Sequence, residues 1–186
     1  MAARERMNLA DLSAGHPVRT AARTGGDIHF DLDDAATWPA ALDGVAAAYL
    51  VEPSLEAGAE NPPRIARLVS AAVDAGVTRL VLLSAPGADH EGHPLHTTDL
   101  AVRESGVEWT VLRPNWFSQN FSEDFWQEAV RGGTLAFPTG QGRVPFIDAE
   151  DIADVAAAAL IEDRHAGRVY ELTGPRAIGF GEAAEL

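Results

Sequence analysis

The sequence contains no cysteine, which excludes disulfides, thiolate metal sites and thiol nucleophiles together. Lysine is also absent, since all 14 basic residues are arginines. Schiff-base chemistry and any mechanism needing an ammonium group are therefore closed to the chain. Against 28 acidic residues these arginines leave a formal net charge of -14 and a pI of about 4.7, which opposes binding to phosphate backbones. No nucleic-acid partner is expected. No run approaches the roughly 20 apolar residues of a membrane span, and the start "MAARERMNLADL" lacks the apolar stretch of a secretory signal. No membrane partner is expected either, and these absences together point to the cytoplasm.

What is present is ordinary globular material. With 186 residues, 46% hydrophobic and 23% charged, the chain has enough apolar mass for one domain spanning residues 1–186. Short β-type runs, "HPVRTAAR", "DIHFDL", "VAAAYLV", "TRLVLLSA", "VEWTVLRP" and "RVYELTG", alternate with helical patterns. That alternation is the mark of a parallel sheet with crossover helices. In "NPPRIARLVSAAVDAG" a proline opens the helix, Ile65, Leu68, Val69, Ala72 and Val73 share a face, and Gly76 stops it. "TTDLAVRESG" predicts a second helix with a threonine cap, "DAEDIADVAAAALIED" a third with an acidic first turn, and "NFSEDFWQEAVRGG" a fourth. "RLVLLSA" and "WTVLRP" are almost continuously apolar, as strands covered on both faces must be. The fold expected is α/β, a doubly wound, mostly parallel Rossmann-like sheet.

In such sheets a ligand sits beyond the carboxyl ends of the strands. Those ends carry Arg23, Asp31, Val51 to Pro53, Ser84 to Gly87, and Pro114 to Phe117. They are small, turn-forming or flat residues, suited to a cleft for an extended ligand. Arg23 either pairs with a ligand phosphate or lies in solvent. Asp31 either faces an adenine or caps the turn into "DDAATW". Trp116 and Phe117 either line a pocket or pack inward to anchor the next helix.

The stretches "LDGVAAAYLVEP", "AAVDAGVTRLVLLSAPG", "RESGVEWTVLRPNWFSQNF", "VPFIDAEDIADVAAAAL" and "YELTGPRAIGFGEAAEL" resemble the NmrA-like branch of atypical short-chain dehydrogenases, near the ergot-alkaloid-biosynthesis type of NAD(P)-binding protein. The resemblance runs from "HPVRTAARTG" to the last residue. It implies an oxidoreductase that moves hydride between NADP, or NAD, and a small apolar electrophile; a non-catalytic dinucleotide-binding protein or an inactive remnant is the alternative. It further implies Arg23 by the adenosine phosphate, Asp31 and Leu32 by adenine, and Val51 and Pro53 along the ribose and pyrophosphate. Ser84, Ala85, Pro114, Asn115, Trp116 and Phe117 would stand near the nicotinamide.

The sequence departs from that family at both ends. A Rossmann-type domain opens with a strand and a glycine-rich turn whose amides hold the pyrophosphate. Here "MAARERMNLADLSAG" resembles only the later part of the helix that follows such a turn, so the first strand and its loop are expected to be missing. "TGQGRV" runs into a strand, and in "LTGPRAIGFGEAAEL" Pro175 removes an amide donor. The chain also stops where relatives continue. An uncovered sheet edge would then favour a homodimer.

The Tyr-x-x-x-Lys dyad of short-chain dehydrogenases cannot be present, and the only tyrosines, Tyr49 and Tyr170, fall inside predicted strands. Acid-base candidates are Ser84 and the histidines of "DHEGHPLHTTD", where His90, His93 and His96 are spaced three apart. Gly92 and Pro94 place them in a loop, and their spacing matches no specific metal pattern; no metal is expected, and solvated loop histidines are. His96 or His93 could donate a proton, whereas reduction of an iminium would need little beyond alignment.

Overall fold

The computed structural model describes residues 15–54, 63–123, 126–134 and 140–184. Four parallel strands form the main sheet: β3 (Ala47–Val51), β4 (Arg79–Leu83), β5 (Glu108–Pro114) and β7 (Arg168–Leu172), in the order β3-β4-β5-β7. Val81 of β4 stands opposite Tyr49 on one side and Thr110 on the other. Helices α2 (Arg64–Asp74), α3 (His96–Arg103) and α5 (Ala149–Ile161) cover it.

The pleat of the central strands divides the core between two faces. Leu80, Leu82 and Val111 pack with Ile65, Leu68, Val69 and Ala72 of α2 and with Val102 of α3. Val81 and Leu112 point to the opposite face and meet Ala156 and Ala159 of α5. Leu80, Val81 and Leu82 are fully buried, which is why this strand is apolar at every position after Arg79. The doubly wound, mostly parallel architecture expected from the sequence is present.

Helix ends follow local chemistry. Gly76 and Gly106, at φ of +93° and +82°, take the left-handed conformation after α2 and α3. Asp148 caps α5 by accepting from the Glu150 amide at 2.8 Å. Two sequence expectations are corrected. No threonine caps α3: it starts at His96 behind Leu95 with no side-chain cap, and Thr98 is wholly buried inside it. The helix expected over "NFSEDFWQEAVRGG" is instead a 3-10 turn, Ser118–Phe121, and a short α4 (Gln127–Arg131); Asp124 and Phe125 between them lie outside the described residues. Ring packing overrides helical periodicity here, because Phe121 sets its edge against Trp126 at 5.0 Å and Phe146 at 5.1 Å.

Strands β1 (Ala21–Ala22) and β2 (Ile28–His29) form a separate parallel pair, much shorter than the runs "HPVRTAAR" and "DIHFDL" suggested. Asp27 ties the connection down by accepting from both the amide and the hydroxyl of Thr20, at 2.8 and 2.7 Å. Helix α1 (Trp38–Leu42) follows, and Arg19 donates to the Asp43 carbonyl at 2.8 Å at its end. Trp38 and Leu42 join the core of α2, which fastens this unit to the main sheet. An antiparallel pair, β6 (Arg143–Val144) with β8 (Ile178–Gly179), leads into α6 (Phe180–Ala184). At Gly174 a Cβ would come within 1.8 Å of the Phe146 carbonyl oxygen, so only glycine fits there. The expected loss of a first strand and glycine-rich turn concerns residues 1–14, which lie outside the described residues. No described helix is long and apolar enough to cross a membrane.

Candidate active site at the strand tips

Because β3, β4, β5 and β7 are parallel, their carboxyl ends share one edge of the sheet. Arg64, the first residue of α2, brings the shorter pair to the same place. Its guanidinium holds Glu52, just after β3, at 2.5 and 3.1 Å, and Asp33, after β2, at 2.7 and 2.8 Å. The Glu52 side chain is fully buried. Its hydrogen bond is the main reason the Arg64 pKa rises above its ordinary value, so this arginine is a permanent tie between two tips. β1 joins the row through β2, since the Phe30 amide donates to the Ala22 carbonyl at 3.0 Å.

Along this row the residues singled out from sequence fall as follows. Arg23 is exposed, and its guanidinium has no partner among the described residues; only its carbonyl is engaged, by His29 Nδ1 at 3.2 Å. Asp31 does cap a turn, accepting the Asp33 amide on its carboxylate at 3.0 Å. Its carbonyl receives the Trp38 indole N–H at 2.9 Å. Leu32 is 8% exposed and belongs to the core. Val51 is half-buried and Pro53 exposed. Ser84 is buried, and its hydroxyl donates to Asp99 Oδ2 at 3.3 Å, while Ala85 beside it is half-buried.

Pro114 closes β5, and the next three residues have separate duties. Asn115 keeps the sheet going for one more bond, donating its amide to the Leu172 carbonyl at 2.9 Å. Phe117 is half-buried against Leu83, Ile147 and Ile152. Trp116 is 47% exposed, the most open large apolar side chain among the described residues. It stacks on the buried Trp126 with centroids 5.0 Å apart and planes 25° from parallel. Thus Phe117 takes the anchoring role and Trp116 presents a ring face outward.

Beneath the tips lies a charge network that sequence reasoning passed over. Arg113, within the apolar run of β5, donates to Asp99 at 3.0 Å, Asp89 at 3.2 Å and Glu171 at 3.4 Å. Burial alone would lower its pKa, but the Asp99 bond and the surrounding carboxylates raise it, so it stays charged. The signal was a lone arginine in a strand otherwise fit for burial, just as Glu52 was a lone acid closing "LVEP". His93 and His96 are half-buried and hydrogen-bonded above this network, contrary to the expectation of solvated loop histidines, and only His90 of the three is exposed. Tyr49 lies in the core, where burial pushes its phenol far above the ordinary value. It is no proton donor.

For a dinucleotide the two ends of this row fit: a free guanidinium for a phosphate at one, and a flat, exposed indole at the other. Between them no glycine-rich strand-to-helix turn occurs among the described residues.

A model of the NAD(P)H-binding family matches residues 27–163. The NAD(P)H azoreductase of Xenophilus azovorans is 36% identical over 160 residues, covering 83% of this chain and 54% of that protein. Festuclavine synthase I of Penicillium roqueforti (strain FM164) is 32% identical over 168 residues, covering 85% and 58%. The crystal structure of an NADPH-dependent quinone oxidoreductase from Escherichia coli complexed with NADPH superposes with a TM-score of 0.69 at 27% identity, covering 83% and 55%. The chain therefore spans somewhat over half the length of these relatives. With the Rossmann-like sheet, the row of strand tips and this match over most of its length, the chain belongs to the NAD(P)H-binding family, in the NmrA-like branch of atypical short-chain dehydrogenases.

Proposed function

We propose that the protein is an NAD(P)-dependent oxidoreductase that directs hydride to a small, largely apolar electrophile and prefers NADPH to NADH. One observation carries this reading: a single row of linked strand tips has the uncommitted guanidinium of Arg23 at one end and the exposed indole of Trp116 at the other. Arg23 would hold the 2'-phosphate of the adenosine. The backbone of Asp31 and Leu32 would face adenine, and Val51 and Pro53 the ribose and pyrophosphate. Ser84, Ala85, Pro114, Asn115, Trp116 and Phe117 would surround the nicotinamide and the substrate. The names of two relatives, an azoreductase and a quinone oxidoreductase, support flat, unsaturated substrates, for which Trp116 offers a stacking face. The bound nucleotide would supply hydride; these residues would orient it and exclude water. We further propose a cytoplasmic homodimer, because the outer edge of β3 has no strand partner among the described residues.

A second reading, a dinucleotide-binding protein without catalysis, is favoured by the commitment of the Ser84 proton to Asp99 and by the buried Tyr49. Calorimetry on the purified chain with NADPH and NADH decides first whether a nucleotide binds. Arg23→Ala should weaken NADPH by about tenfold to a hundredfold, the effect of one charge-assisted bond, and leave NADH unchanged. No heat with either nucleotide sinks both readings.

A further inference from the structure

Two histidines at the entry to α3 are held by the backbone in opposite tautomers. The Leu95 amide donates to Nδ1 of His93 at 3.1 Å, so that nitrogen keeps a lone pair and the ring proton sits on Nε2. Nδ1 of His96 lies 3.0 Å from the Ala88 carbonyl oxygen; a carbonyl only accepts, so Nδ1 carries the proton and Nε2 the lone pair. One ring offers a fixed donor, the other a site where a proton can come and go.

The same bonds set what a second proton would do to each ring. Protonating His93 would place a hydrogen on Nδ1 and break its bond to Leu95 at the start of α3. Burial first, and then the nearby Arg113 guanidinium, hold its pKa below the ordinary value. Protonating His96 fills Nε2 and leaves the Ala88 bond intact. The charged groups around the pair are Asp89 and His90 on the loop, Asp99 and Arg103 on α3, Arg113 on β5 and Glu171 on β7. Asp99 Oδ1 is buried without a hydrogen bond and faces the Arg103 guanidinium at 3.6 Å.

Resting on the hydride-transfer reading above, we propose that this loop is the acid-base arm of the site: His96 delivers a proton from Nε2 while His93 donates a hydrogen bond from Nε2–H. The substrate class it fits has a polarised double bond to a heteroatom, C=O, neutral C=N or N=N, in contrast to an iminium that needs no proton. In the step the Nε2–H bond of His96 breaks and its electron pair stays on nitrogen. The π pair of the substrate moves onto the heteroatom and forms the new X–H bond. The two electrons and hydrogen entering at the other atom are the hydride of the reduced nicotinamide, which is oxidised. His96 returns to its neutral Nδ1–H form and regains its proton from water.

Long-range proton–nitrogen NMR of the full chain labelled at histidine reads each ring nitrogen directly. His93 should show a bare Nδ1 and His96 a protonated Nδ1 with a bare Nε2 in the neutral rings. Reversed tautomers overturn the proposal. Turnover is then followed with NADPH and three probes, a naphthoquinone, an aryl imine and an azo dye. His96→Gln should lower kcat about a hundredfold, the usual size of a lost general acid, with NADPH affinity unchanged. His93→Gln, which keeps a donor near Nε2, should hold KM, and His93→Ala should raise it. Unchanged turnover in His96→Gln overturns the proposal, as does a wild-type chain that binds NADPH and reduces none of the probes. A chain that binds no NADPH fails on the hydride reading instead, and the ring tautomers still test the arm.

Discussion

The four-stranded sheet and the β1-β2 pair are both parallel, yet they are built in different ways. Each strand of the sheet is joined to the next through a helix, so register is fixed by packing on two faces: Leu82 meets one layer and Val81 the other. The connection from Ala22 to Ile28 has no helix, and two residues per strand are all that pair. Parallel strands ordinarily need a crossover of a dozen or more residues. Here the three hydrogen bonds between Asp27 and Thr20 do locally what a helix does elsewhere. One region is held by buried area and the other by a few exposed polar bonds.

The contrast is broken most severely from beneath the sheet. Arg113→Met removes the closer of the two cations that pair with buried Asp99, leaving only Arg103 at 3.6 Å, and breaking a buried pair costs up to about 3–5 kcal/mol. Urea unfolding should show that loss; a change below about 1 kcal/mol, the size of an exposed pair, would mean the pair is solvated and the two regions are more alike than described.

Acid should separate the regions further. Burial keeps His93 neutral in the folded chain, with a pKa below 6.5, so the unfolded chain binds the extra proton first. Stability is therefore full above 6.5 and falls as pH drops from there toward the folded pKa. Asp27, lowered from 3.8 mainly by the Thr20 amide, contributes above 3.8 and is lost as pH falls further. Amide exchange should loosen the His93 loop in mild acid and the β1-β2 connection only in stronger acid. The reverse order would contradict the assignment. The smallest effect is expected of Asp27→Asn, which should raise exchange at Thr20 and Ile28 while global unfolding stays as in the wild type.

Much of this was legible in the sequence where burial is continuous. "RLVLLSA" and "WTVLRP" could only be covered strands, and the α2 stripe with Gly76 could only be an amphipathic helix with a stop. The missing threonine cap shows the limit: α3 begins at His96 behind Leu95, whose amide donates to His93, a bond invisible in a residue pattern. The Arg64 tie was equally hidden, since its partners lie 12 and 31 residues away. The family residues at the strand tips were nameable in advance, but their division of labour was not. Whether an aromatic in "NWF" faces in or out depends on Ile147, whose amide donates to the Trp116 carbonyl at 3.0 Å and whose carbonyl receives the Ser118 amide at 2.8 Å.

The paired indoles of Trp116 and Trp126 also make the molecule its own optical gauge. Two such chromophores 5.0 Å apart and 25° from parallel are close enough to couple their transitions, and that coupling is a signature to look for in circular dichroism. Trp38 and Trp109 each sit instead beneath a single arginine. Anything flat that settles on the open face of Trp116 would disturb that signature without any label being attached.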